Sequence, residues 1–122
     1  MTLSKAKIVG KRKLIALILG GVLSASVIAN QALTIQDAET AGFTKRGQQM
    51  FQMIGASDGW SGSWSGDKVE LYQYQSPEEV KPEVFESAVH EGNLSGWVEL
   101  CQHKNMLMLS KGKKACVELK KL

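Results

Sequence analysis

Cysteine, histidine and proline are scarce in this chain, with two of each among 122 residues. Cys101 and Cys116 form no Cys-x-x-Cys pair, which excludes the usual dithiol redox motif, and no Cys-x-x-Cys-His, which excludes covalent haem. No cysteine follows the apolar run near the start, so a lipoprotein anchor has no acceptor. A serine-nucleophile elbow is missing too. The nearest match, Gly62-Ser63-Trp64-Ser65-Gly66, has Trp where the nucleophile would stand. The acids between Glu78 and Glu91 follow the spacing of a solvated helix face rather than a catalytic pair. A non-enzymatic chain that needs no cofactor is therefore expected.

Acidic residues are absent before Leu14, where five of the fifteen basic residues lie. Beyond that point ten basic residues face all twelve acidic ones, so the remainder carries a net charge of −2. The overall +3 belongs to the N-terminal segment and gives no support to nucleic-acid binding, which needs a basic surface on the folded domain. Charge is polarised within the remainder. Nine acids and two lysines lie between Asp58 and Glu99, and six lysines with one acid lie from Lys104 onward.

The strongest positive signal is Lys11-Arg12-Lys13 followed at once by the apolar run Leu14–Ala29. Basic residues abutting an apolar segment mark an export signal or a membrane anchor. The run has 16 residues, between the about 7–15 of a signal core and the about 20 of a spanning helix. Val27-Ile28-Ala29 is a mediocre cleavage site. An uncleaved helix can extend over Leu14–Leu33 with few polar interruptions. The expectation is a single-pass anchor in the cytoplasmic membrane, with the rest of the chain on the periplasmic side. The alternative is secretion to the periplasm after cleavage near Ala29.

Residues 1–33 thus form the signal-anchor or signal peptide. Thr34–Gly55 reads as an amphipathic helix, with Phe43, Gly47, Met50, Phe51 and Ile54 at helical spacing and Gly55 as its stop. Residues 56–67, rich in Gly and Ser and holding Trp60 and Trp64, read as a loop. Residues 68–122 read as a small disulfide-stapled unit. Lys68–Gln75 alternates as a strand; Ser76-Pro77-Glu78-Glu79 has the pattern of a capped helix start; Pro82 restarts that helix. Strands follow at Trp97–His103 and Met106–Ser110, joined by a tight turn at Lys104-Asn105, with Trp97, Met106 and Met108 as core. Lys113–Leu122 closes as a helix presenting Ala115, Cys116, Leu119 and Leu122 on one face. The fold class is α+β, in the order β-α-β-β-α with about three strands, the crossover making the first strand parallel to the second.

In an exported domain the two cysteines are expected to pair. A Cys101–Cys116 bridge closes a loop of 15 residues, for which chain entropy alone suggests about 3 kcal/mol. The competing use is a metal site of His90, Cys101, His103 and Cys116, although that spacing matches no common zinc module. Trp60 and Trp64 are candidate partner-binding residues, since either ring can bury a large area at low entropic cost. The function expected is a membrane-tethered, extracytoplasmic accessory subunit that binds a protein partner in a membrane or envelope complex. The alternative is a periplasmic protein binding a metal or small ligand through Cys101, His103 and Cys116.

Overall fold

A computed structural model describes residues 32–122 apart from Glu91. The anchor or signal segment expected over Leu14–Leu33 therefore lies outside the described residues, except for its last two. Among the described residues no helix is long and apolar enough to cross a membrane.

The described chain is an α+β domain built on one five-stranded antiparallel sheet. Helix α1 (Ile35–Thr40) leads into strand β1 (Thr44–Gln48) and a 3₁₀ turn at Phe51–Ile54. Strands β2 (Asp58–Trp64) and β3 (Asp67–Gln73) follow as a hairpin. Two 3₁₀ turns, Pro77–Glu79 and Pro82–Phe85, and the short helix α2 (Glu86–Val89) carry the chain to β4 (Glu99–His103). Strand β5 (Met106–Ser110) and helix α3 (Lys114–Leu119) complete it. The spatial order is β1-β2-β3-β5-β4.

Side-chain alternation divides the core between the two faces of the sheet. On one face Trp64, Val69, Leu71, Met106, Met108 and Cys101 pack under α1 and α3. On the other, Tyr72, Tyr74 and Leu107 pack under the 3₁₀ turns through Phe51, Ile54, Val80 and Phe85. β5 is buried along its whole length because it lies inside the sheet, between β3 and β4, and is covered on both faces.

Local chemistry explains most boundaries. Thr34 caps α1 through a reciprocal box: its hydroxyl accepts from the Asp37 N–H at 3.1 Å, and the Asp37 carboxylate accepts from the Thr34 N–H at 2.9 Å. The helix stops at Gly42, whose φ of 115° lies outside the helical region. The β2–β3 turn, Ser65-Gly66, has positive φ at both residues, as a tight hairpin of primed type requires. At the β4–β5 turn the positive φ falls on Lys104 (54°) and not on Asn105, whose side chain is turned inward. Helix α3 has no cap of its own. A carboxylate oxygen of Asp67, at the start of β3, instead accepts from the N–H groups of Lys114 (2.8 Å) and Ala115 (2.9 Å). A side chain at Gly112 would collide with that carboxylate, so glycine is needed for the approach.

Three expectations are corrected. The single helix over Thr34–Gly55 is replaced by α1, β1 and a 3₁₀ turn. Its apparent stripe was not one face: Phe43 belongs to the core beneath α1, Phe51 and Ile54 to the opposite core, and Met50 is 72% exposed. The loop expected over residues 56–67 is strand β2. Its glycines are spaces for neighbouring groups rather than points of flexibility. A Cβ at Gly59 would meet the Tyr72 ring directly across the β2–β3 ladder, and one at Gly62 would meet the Phe43 ring and the Thr44 carbonyl. The about three strands expected are five, and β5 lies between β3 and β4, so every neighbouring pair is antiparallel.

The helix start read at Ser76 is also reduced to one 3₁₀ turn, with no side-chain cap. Pro82 is the cause. It disfavours helical geometry at Lys81, which sits at φ −124° and ψ 77°.

Candidate functional site

The Cys101–Cys116 disulfide is present and ties edge strand β4 to helix α3 across 6.2 Å between Cα atoms. Both half-cystines are buried in the core beneath the helices. With each sulfur bonded to the other, neither is available as a thiolate, so the metal set of His90, Cys101, His103 and Cys116 loses its two soft donors. The histidines do not converge either. His90 is exposed after α2, where its Nδ1 contacts the Ser87 carbonyl at 2.9 Å; His103 ends β4. No group of three or more potential metal ligands occurs among the described residues.

The two tryptophans expected to bind a partner differ in burial. Trp64 is 1% exposed, packs against Phe43 with ring centroids 5.9 Å apart, and donates its indole N–H to the Ala41 carbonyl at 3.3 Å. It joins α1 to the sheet. Trp60 lies two positions earlier on the same face and is half-buried, with the Lys45 ammonium 4.3 Å from its ring centroid. Lys45 also pairs with Glu39 at 3.6 Å. Of the pair, Trp60 alone borders solvent.

Trp60 stands beside an open edge. β1 is an outer strand with four of its five residues exposed. A bulge between Lys45 and Gly47 and two basic side chains guard its first half. Its second half runs to Met50 and Met53, which are 72% and 76% exposed. Methionine is enriched at protein interfaces and adapts its shape to a partner.

A second feature, a groove of about 320 Å³, lies on the opposite sheet face. The 3₁₀ turns cover that face over Tyr72 and Leu107 and leave the part near the start of β3 open. Arg46, Ser61, Lys68, Glu70, Lys111 and Trp97 line it. Trp97 is half-buried here instead of lying in the core as expected. Asn93 and Ser95 hold its backbone: the Trp97 N–H donates to the Ser95 hydroxyl at 3.2 Å, and the Asn93 amide donates to the Trp97 carbonyl at 3.4 Å. The Lys111 ammonium sits 5.1 Å from the Trp97 ring centroid. The Glu70 carboxylate accepts from the Tyr72 hydroxyl at 2.7 Å. Burial, reinforced by that carboxylate, pushes the Tyr72 phenol well above its ordinary pKa; burial also raises that of Tyr74.

Sequence reasoning did not single out this groove, because its basic residues are scattered at positions 46, 68 and 111 and only the sheet brings them together. Compared with known proteins, no family model matches the chain, and no curated protein or solved structure is similar to it.

Proposed function

We propose that this chain is an extracytoplasmic, non-catalytic interaction subunit, held at the cytoplasmic membrane by Leu14–Leu33 and docking a protein partner in a membrane or envelope complex. The disulfide supports an oxidising compartment, in keeping with the basic and apolar N-terminal sequence. One observation carries the docking role: the outer edge of the second half of β1, continued by the exposed Met50 and Met53 and flanked by Trp60. An open edge offers backbone hydrogen bonds to an added strand, and the flanking apolar side chains supply contact area.

The test is site-specific photocrosslinking at Gln48 and Met50 in native membranes, compared with the doubly substituted Met50→Asp/Met53→Asp chain. A single discrete adduct that the double substitution abolishes is expected. The absence of an adduct at both positions, or one indifferent to the substitutions, would overturn the docking role. Recovery of the native chain as a soluble cytoplasmic protein with two free thiols would overturn the location.

A further inference from the structure

The groove on the opposite face points to a second binding activity, independent of the β1 edge and of the membrane tether. The domain carries a net negative charge, yet three cations converge on this one concavity. Arg46 directly follows Lys45 on β1, so strand alternation puts it on the opposite face, at the groove. Lys68 comes from the start of β3. Lys111 comes from the end of β5, where its N–H donates to the Lys68 carbonyl at 2.9 Å. The two lysines are thus cross-strand neighbours of like charge, an arrangement that works against the fold. Among the described residues the ion pairs formed are Lys45–Glu39 and Lys121–Glu118, so none of the three groove cations pairs with a described carboxylate. Glu70, the one acid among the described residues that line the groove, is held by the Tyr72 hydroxyl.

We infer that this groove binds a phosphate ester, either free in solution or displayed on a lipid headgroup. The guanidinium of Arg46 provides a planar two-pronged donor suited to a phosphate oxygen pair, while Lys68 and Lys111 act as point charges beside it. Three cations against one carboxylate leave the groove with an excess of two positive charges, which a phosphate monoester dianion balances. Ser61 adds a neutral hydroxyl, and Trp97 forms an apolar wall for whatever carries the phosphate. The volume of about 320 Å³ holds a headgroup-sized molecule and falls at the small end of known ligand sites. Binding relieves the Lys68–Lys111 repulsion and therefore weakens as salt rises.

The test is a titration of the full-length, isotopically labelled chain in neutral detergent micelles, followed by backbone and indole N–H resonances. One arm adds glycerol 3-phosphate; the other replaces part of the detergent with phosphatidic acid, whose headgroup is a phosphate monoester, with phosphatidylcholine as control. Saturable shifts confined to Arg46, Ser61, Lys68, Glu70, Lys111 and the Trp97 indole are expected in at least one phosphate arm. The arm that responds tells a soluble ester from a headgroup. The doubly substituted Arg46→Gln/Lys68→Gln chain should bind at least about tenfold more weakly, because both charge-assisted contacts are lost. Both residues are exposed, and an otherwise unchanged spectrum verifies folding. Glu70→Gln should bind more tightly, since it removes the one repelling charge. Shifts spread over all lysines, affinity unaffected by the double substitution, no response in either phosphate arm, or tighter binding of a polyglutamate peptide than of either phosphate would each overturn the inference.

Discussion

Asn105 offers the most decisive test of how this domain is held together. It sits in the β4–β5 turn with no exposed surface, and its amide is used on both sides. The oxygen accepts from the Leu33 N–H at 2.7 Å; the nitrogen donates to the Leu33 carbonyl at 2.8 Å and to the Tyr74 carbonyl at 2.7 Å. The Tyr74 N–H returns a bond to the Asn105 carbonyl at 2.9 Å. One side chain thus joins the start of the described chain, the end of β3 and the last hairpin. Replacing it by alanine strands the buried Tyr74 carbonyl, at a cost of about 1–3 kcal/mol for an unsatisfied group. Water recovers part of the loss at half-buried Leu33, so Asn105→Ala should cost about 2–4 kcal/mol in all. That is a large share of the roughly 5–14 kcal/mol available to a domain of this size.

Asn105→Asp adds a pH signature. The ionised carboxylate faces two carbonyls and can donate to neither, so the folded state raises the pKa of the introduced acid above its unfolded value of about 4. The folded state then holds the proton more tightly. The variant should be closest to the parent below about pH 4 and should lose stability as pH rises through the folded pKa. At neutral pH it should be less stable than Asn105→Ala. Urea unfolding followed by tryptophan fluorescence, with the disulfide kept oxidised, measures both variants against pH. An alanine variant within about 0.5 kcal/mol of the parent, or an aspartate variant with the parent's pH profile, would show that Asn105 does not bear this load.

Three further outcomes follow from other parts of the fold. Replacing Cys101 and Cys116 together by alanine should lower stability by about 3 kcal/mol, from the entropy of a 15-residue loop, read as a lower urea midpoint. Gly62→Ala should cost more than the roughly 1 kcal/mol of an average point substitution, because its methyl group overlaps the Thr44 carbonyl; hydrogen exchange should show protection lost first at Thr44–Gln48. Tyr72 and Tyr74 are the chain's two tyrosines, and both have raised pKa values, so the folded state keeps protons that the unfolded state releases above about pH 10. Stability should be unaffected below that point and fall above it, with phenolate absorbance appearing together with unfolding. Phenolate absorbance that appears near pH 10 while the chain stays folded would refute this.

The parts of the fold legible in the sequence are those whose signals are local. β3 alternates within its own length, so its inward Val69 and Leu71 could be named from their spacing. The Lys104-Asn105 turn is followed at once by the apolar run Met106–Leu109, and α3 shows Ala115, Cys116 and Leu119 on one helical face. The expectation of an exported domain was enough to pair the cysteines, and the bridge is present. β1 and β2 were not legible, because what makes them strands lies elsewhere in the chain. Glycine at 59 and 62 signals a loop until Tyr72 and Phe43 fill the spaces beside it. One local clue was available: Trp60 and Trp64 share a period of two with Gly62 between them, and Ser65-Gly66 is a turn pair followed directly by another alternating run.

The same distinction governs the two candidate surfaces. Trp64 and Trp60 have equal weight as aromatic residues in a sequence, and only the packing of α1 against β2 decides that one is core and the other a border of the open edge. Charge behaves likewise. A net charge of −2 averages over the whole sequence beyond Leu14, whereas binding depends on where charges lie relative to one another. Arg46 and Lys68 are 22 residues apart and Lys111 lies 43 further on, spacings that carry no periodic signal. Pairing β1 with β2, β2 with β3 and β3 with β5 brings all three to one groove. Composition argued correctly that the basic N-terminus inflates the overall charge, but it could not see this concentration of cations. If the groove binds phosphate, the sheet order is its cause. Loosening β1 through Gly62→Ala should then weaken phosphate binding by displacing Arg46, even though Gly62 supplies no charge of its own.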